Sequence, residues 1–221
     1  MINMALIIAE VIAAYLLLYF LNKRYNLEGI YYFGIIATFA ACIMTLKNIS
    51  IMEISVPLGF GVTTSLLIGG NIITQKYGKD KILPYLLVIF LTALVGSCFL
   101  NLSGLLENSE YNIFANKSYS NIFKYNLKTY IALIISLDLS VYFSSELYYL
   151  IKRVQNKVII NNILSIIIIE FVENTIFVCI AYATDFAMID VILCIIFRYL
   201  IKTLIGIIGT MPLYIINKYN K

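Results

Sequence analysis

The sequence predicts an all-α fold: a polytopic transmembrane helical bundle of seven spans, with the amino end outside and the carboxyl end cytoplasmic. Three observations carry that expectation. Hydrophobic residues make up 62% of the 221 positions, well above the roughly 45–50% of a soluble domain. Mean hydropathy is +0.92. The apolar runs are long enough to cross a hydrocarbon core about 30 Å thick as helices, whereas an outer-membrane barrel would show short alternating segments. Residues 1–221 are read as a single integral membrane domain, with no room for a large soluble one.

The first span is placed at residues 2–21, with Glu10 near its middle and Lys23 and Arg24 just beyond. Without a basic leading region or a small-residue exit site, it reads as a retained helix and not a cleaved signal. The second, about 30–46, carries Gly34, Ala37, Ala40 and Ala41, small residues that permit close helix approach. The third, about 54–74, is interrupted by Pro57, Gly59, Gly61, Gly69 and Gly70 and carries Asn71 through the apolar run. The stretch from Glu53 to Lys81 is therefore the expected solute site, because unwound turns in such segments free backbone groups to meet a ligand.

Pro84 opens the fourth span, 83–101, near a first turn, where its missing N–H does least harm. Residues 102–127 form the longest polar interval. The fifth span, about 129–150, carries Ser136, Asp138, Ser140 and Glu146; the sixth, about 159–182, carries Ser165, Glu170, Glu173 and Asn174. The seventh, about 188–215, carries Asp190, Arg198, Lys202 and Pro212, and is long enough to tilt or break in its second half.

Basic residues set the orientation. Lys23, Arg24, Lys76, Lys79, Lys81, Lys152, Arg153, Lys157, Lys218 and Lys221 follow the odd-numbered spans, whereas Lys47, Lys117 and Lys124 follow the even-numbered ones. That bias places the carboxyl end inside. The formal charge of +4 is thus a loop property and no nucleic-acid footprint. Four cysteines lie singly in apolar runs and there is no histidine, so no metal or other cofactor is expected. No phosphate loop, nucleophile elbow or zinc-helix motif marks an enzyme.

Glu170 and Glu173 lie one helical turn apart, on a face shared with Asn174. Two carboxylates so close in low dielectric require a proton or a facing cation, and Arg198 and Lys202, four apart on the next span, are the candidates. Such a cluster serves either to fix helix register or to anchor and gate a ligand. Asn71 and Gln75, also four apart, suit a flat heterocycle with mixed donor and acceptor edges, and equally a bond between helices. Thr74 can bond back to a preceding carbonyl. Tyr77 and Gly78 read as an interfacial anchor and a C-cap.

The run VPLGFGVTTSLLIGGNIITQKYGKDK resembles the signature of the VUT family of bacterial queuosine-precursor transporters, "PLTF…DxxTEVYGKK". Asn71 falls at its aspartate, Thr74 at its threonine and Gln75 at its glutamate, while Tyr77, Gly78 and Lys79 match directly. ALIISLDLSVYF is similar to "AYLxSQxxDVxxF", aligning Ser136, Val141 and Phe143, with Leu137 and Ser140 departing. IEFVENTIF resembles "SQLIDTLIF", with Glu170 at the glutamine and Glu173 at the aspartate. YLIKTLIGIIGTMPLYI resembles "YLFKLLIALLDTPFVYL", aligning Lys202, Thr210 and Tyr214, with Gly209 at the aspartate.

The resemblance implies uptake of a small molecule, a deazaguanine precursor of modified tRNA bases, through the cytoplasmic membrane; the alternatives are a substrate-binding or structural membrane subunit, or a transporter of another small heterocycle or vitamin. Asn71, Thr74, Gln75, Ser136, Ser140, Glu170, Glu173, Asn174 and Lys202 are the expected substrate contacts. Tyr77, Gly78, Arg198 and Thr210 are the expected gating or structural positions. The partners expected are the solute and the lipid bilayer, not nucleic acid. Homo-oligomerisation stays open, and ATP-driven transport would require a partner protein.

Overall fold

The computed structural model describes residues 2–51, 54–107, 111–124, 126–155 and 157–218; Glu53 and Lys221 lie outside them. The chain folds as α1 (Ile2–Met44), β1 (Asn48–Ile51), β2 (Ile54–Pro57), α2 (Phe60–Lys76), α3 (Ile82–Leu105), α4 (Ile113–Lys124), α5 (Leu127–Val154), α6 (Val158–Tyr182) and α7 (Met188–Lys218). A single 3-10 turn, Lys79–Lys81, joins α2 to α3. Five of these helices, α1, α3, α5, α6 and α7, are long and apolar enough to cross a membrane.

The surface and interior are inverted relative to a soluble protein. Leu83, Phe99, Leu204 and Met211 are more than half exposed, whereas Arg198 and Lys202 are essentially inaccessible. Such an apolar exterior would aggregate in water but matches lipid chains. The chain is a multi-pass membrane protein.

The expected first and second spans are the two arms of α1. They meet at Asn26, whose φ of 53° and ψ of −127° depart from helical values. Asparagine tolerates positive φ better than most residues, and the Asn22 side chain secures the bend by donating to the Asn26 carbonyl at 2.9 Å. The arms run antiparallel. Val11 of the first lies beside Gly61, and Met44 at the end of the second lies beside Gly59.

The third span differs from the expectation in two ways. Residues 54–57 are not helical: β2 pairs antiparallel with β1, with Asn48 opposite Pro57 and Ile51 opposite Ile54. The break falls at Gly59, which enters the helix at φ 97°, a conformation that only glycine adopts cheaply. Beyond it α2 is an uninterrupted helix, buried at every position from Phe60 to Thr74. Gly69 and Gly70 do not unwind it; they let neighbours in. A Cβ on Gly69 would lie 2.6 Å from the Tyr85 hydroxyl, and one on Gly70 would lie 2.8 Å from Ser145 Oγ.

Glu10 explains how α2 begins in the membrane without a local cap. Its Oε1 accepts from the N–H groups of Gly61 at 3.0 Å and Val62 at 3.2 Å. The carboxylate thereby satisfies two orphan donors at the positive end of the helix dipole. At the other end Tyr77 and Gly78 both donate to the Ile73 carbonyl; Tyr77 is the C-cap residue, where the sequence reading expects Gly78, and Gly78 follows it, turning the chain at φ 97°.

The polar interval contains α4, which folds back on α3. Asn101 donates to the Phe123 and Lys124 carbonyls, and Gly104 lies against Phe123. Counting the arms of α1 separately and leaving out α4, seven described segments alternate in direction along the bundle. Side-chain contacts gather the loops after odd-numbered segments at one end: Asn22 reaches Tyr77, and Lys79 pairs with Glu146 at 2.7 Å. The described basic residues of the loops after the first, third and fifth segments therefore share one end.

Gly209 packs directly on the ring of Tyr15 and on Ile68, leaving no space for a Cβ. Gly209→Ala is expected to destabilise the protein by ~1–3 kcal/mol through overpacking. A lower midpoint of thermal unfolding in detergent would register it.

Candidate functional site

Polar side chains from α2, α5, α6 and α7 meet inside the bundle in two layers. Thr64 and Asn71 are seven residues apart on α2, so the layers are separated by about 10 Å at the rise of a helix.

The first layer is ionic. Lys202 Nζ lies 2.7 Å from Glu173 Oε2, to which it donates, and 2.9 Å from Glu170 Oε2. Arg198 Nη2 donates to Glu173 Oε1 at 3.2 Å. The Thr64 hydroxyl donates to Glu170 Oε1 at 2.7 Å. All four charged side chains are at most 1% exposed. Two acids and two bases are thus mutually neutralised, which is how buried charge becomes tolerable. The Arg198 guanidinium also sits 3.9 Å from the Phe177 ring centroid. Its Nε and Nη1 have no hydrogen-bond partner among the described residues.

The second layer is built of amides and hydroxyls. Asn71 Nδ2 donates to Asn162 Oδ1 at 2.8 Å and to Ser165 Oγ at 3.2 Å. Asn71 Oδ1 accepts from the Ser144 hydroxyl at 3.1 Å. Asn162 Nδ2 donates to Thr210 Oγ1 at 2.9 Å. One amide therefore ties α2 to α5 and α6, and a second ties α6 to α7. Nearer the basic end, the Tyr148 hydroxyl donates to Gln75 Oε1 at 3.0 Å and Lys152 donates to the Gln75 carbonyl at 3.1 Å.

Of the residues singled out by sequence, Glu170, Glu173, Arg198 and Lys202 form one cluster, and Asn71 and Thr210 belong to the amide layer. Thr74 bonds to the Gly70 carbonyl. Ser136 and Ser140 likewise bond to the carbonyls of Leu133 and Ser136 in their own helix. The Asn174 amide donates to the Glu170 carbonyl, while its Oδ1 has no partner among the described residues. Tyr77 accepts from Asn22 at 3.1 Å.

The sequence reading expects these residues to contact a solute, which requires an opening among them. Here Asn71, Glu170, Glu173 and Lys202 are completely buried and bonded to other helices, so protein groups fill the space. The reason is mutual satisfaction: the Asn71, Asn162, Thr64 and Lys202 donors are each matched by an acceptor on another helix. Thr64, Ser144 and Asn162 are the members that sequence reasoning passed over. A signal for Ser144 was present, since it continues the four-residue stripe of Ser136 and Ser140.

A cavity of about 330 Å³ does open at the hairpin end, between the β-hairpin, the end of α6 and the start of α7. Asn48, Ser55, Tyr182, Asp190 and Cys194 are among its lining residues. At that end Lys128 pairs with Asp185 at 3.0 Å, and hydrogen bonds from Lys128 and Thr184 hold the Asp185 carboxyl below its usual range.

Paired charges and an amide network buried at the centre of a membrane bundle mark where a functional site is expected. A family model described as "Putative vitamin uptake transporter" matches residues 57–216. The chain belongs to that family of small-solute uptake transporters. Comparison with curated proteins and with solved structures gives no match.

Lys202→Met removes the cation shared by both acids and is expected to cost ~3–5 kcal/mol. Adding Glu170→Gln to that variant should recover part of the loss, because it removes the acid left without a cation. Thermal unfolding of the purified variants checks both. Asn71→Ala strands the groups it joined and is expected to cost ~1–3 kcal/mol in the same assay.

Proposed function

We propose that the protein takes up a small, flat, purine-like heterocycle across the cytoplasmic membrane, a 7-deazaguanine queuosine precursor being the favoured substrate. The observation that carries this reading is the convergence of Asn71, Glu170, Glu173 and Lys202, all aligned with signature positions of the family, on one buried polar centre. In the proposed cycle the two arms of α1 together with α2, α3, α5, α6 and α7 make seven spans, with the carboxyl end and the basic loops cytoplasmic. The centre is closed by its own side chains. Solute is admitted when helices part and the side chains exchange protein partners for ligand. Asn71 then offers both amide edges to the ring, and Glu170 or Glu173 accepts from ring N–H groups. Arg198 and Lys202 keep the acids ionised between solutes. Gln75, Tyr77 and Gly78 secure the cytoplasmic end.

Uptake of radiolabelled 7-cyano-7-deazaguanine into cells without their own carrier tests the reading. The intact protein is expected to support saturable uptake, and Asn71→Ala or Glu173→Gln to reduce it at least tenfold at equal membrane abundance. Uptake unchanged in both variants would remove the proposed ligand roles. Binding without translocation in reconstituted vesicles would instead make the protein a capturing subunit for an energising partner.

A further inference from the structure

The cavity at the hairpin end is not part of the buried centre, yet α7 leads from one to the other. Asp190, Cys194, Arg198 and Lys202 are spaced four apart on that helix, so they form one stripe running inward from the cavity wall to the ionic layer. Asp190 and Cys194 line the cavity; Lys202 bridges the two glutamates. Arg198 lies between them and carries the two unpartnered donors. A buried donor without a protein partner is costly, and a ligand that reached it would relieve the cost.

Aromatic rings occupy the intervening space. Arg198 lies over Phe177. Phe177 meets Tyr182 edge-on at 6.2 Å, and Tyr182 meets Phe186 edge-on at 5.6 Å. Tyr182 and Phe186 both line the cavity. The Tyr182 hydroxyl donates to Asn48 Oδ1 at 3.2 Å, latching the ring to the β-hairpin through an exposed bond. An exposed hydrogen bond exchanges readily with water, so this latch can release without disturbing the core.

We propose that this cavity is an external binding vestibule and that Tyr182 is its inner gate. Its ligand is a planar heteroaromatic solute bearing a carbonyl or other acceptor edge. The ring seats against Tyr182 and Phe186, and on displacement of Tyr182 the acceptor edge receives a hydrogen bond from the unpartnered Nη1 of Arg198, while Nη2 stays on Glu173. The volume lies at the lower end of the roughly 300–1,000 Å³ of ligand pockets, which suits a bicyclic ring. A guanidinium holds Glu173 through one nitrogen and presents another in the same fixed plane to an acceptor, which a lysine ammonium does not reproduce. The proposal rests on the uptake reading above and adds where the solute first binds and which residue receives it.

Cys194 provides the test, with a readout independent of transport. In a full-length variant with Cys42, Cys98 and Cys179 replaced by alanine, a membrane-impermeant methanethiosulfonate reagent is applied to intact cells. Cys194 should be labelled from outside, and saturating 7-cyano-7-deazaguanine should slow labelling at least fivefold. Tyr182→Ala should speed labelling without solute. Arg198→Lys, which keeps a cation for Glu173, should leave labelling without solute unchanged and abolish the protection. A Cys194 that resists the reagent in the parent and in Tyr182→Ala overturns the vestibule. Labelling that is unprotected at solute concentrations saturating uptake overturns the binding site while leaving the uptake reading intact. Absence of both uptake and protection overturns the two together.

Discussion

The Lys202 ammonium, held between Glu170 and Glu173, is the interaction on which the arrangement of the bundle depends. An acid pair one turn apart on α6 cannot stay ionised in low dielectric without a facing cation, and an unpaired cation there would be equally costly. The pairing therefore fixes the register of α7 against α6. Thr64 extends the constraint to α2 by donating to Glu170. Because the energy lies in matched pairs rather than in any one group, the cluster resists removal of a member more than exchange of partners.

That register positions everything above it. With Glu170 opposite Lys202, Asn162 falls opposite Thr210, and Asn71 closes the layer from the central helix. The central helix can be buried on all sides only because its neighbours approach closely. Tyr85 occupies the space over Gly69, and Ser145 that over Gly70. Gly206 gives Ile166 the same freedom on α7. Small residues thus do for this membrane core what shape-matched large ones do for a soluble one.

The family's aspartate position on α7 illustrates how a departure is absorbed. Gly209 stands there, and Tyr15 and Ile68 take up the vacated space. Tyr15 also donates to the Ile205 carbonyl at 2.9 Å, so the first arm of α1 is bound to α7 beside Gly209. At Asn71 the exchange is chemical instead: an amide both donates and accepts, and both capacities are used, toward Asn162 and Ser165 on one side and Ser144 on the other. At Gly209 and Asn71 the departures rearrange the centre without stranding a polar group of their own.

Composition and hydropathy alone determined that the chain is a helical membrane protein, because a lipid solvent demands long apolar helices and tolerates little else. Helical periodicity paired Glu170 with Glu173 and Arg198 with Lys202, and signature residues placed the chain in its family. Local spacing could not say which helix faces which. Only the tertiary structure assigned Lys202 to both acids, found Asn162 and Ser144 as partners of Asn71, and turned Glu10 from an isolated buried acid into the cap of α2. It also moved the break in the third span to Gly59 and closed the polar centre. Those outcomes depend on contacts between residues 29 to 106 positions apart, and no pattern within a single segment encodes them.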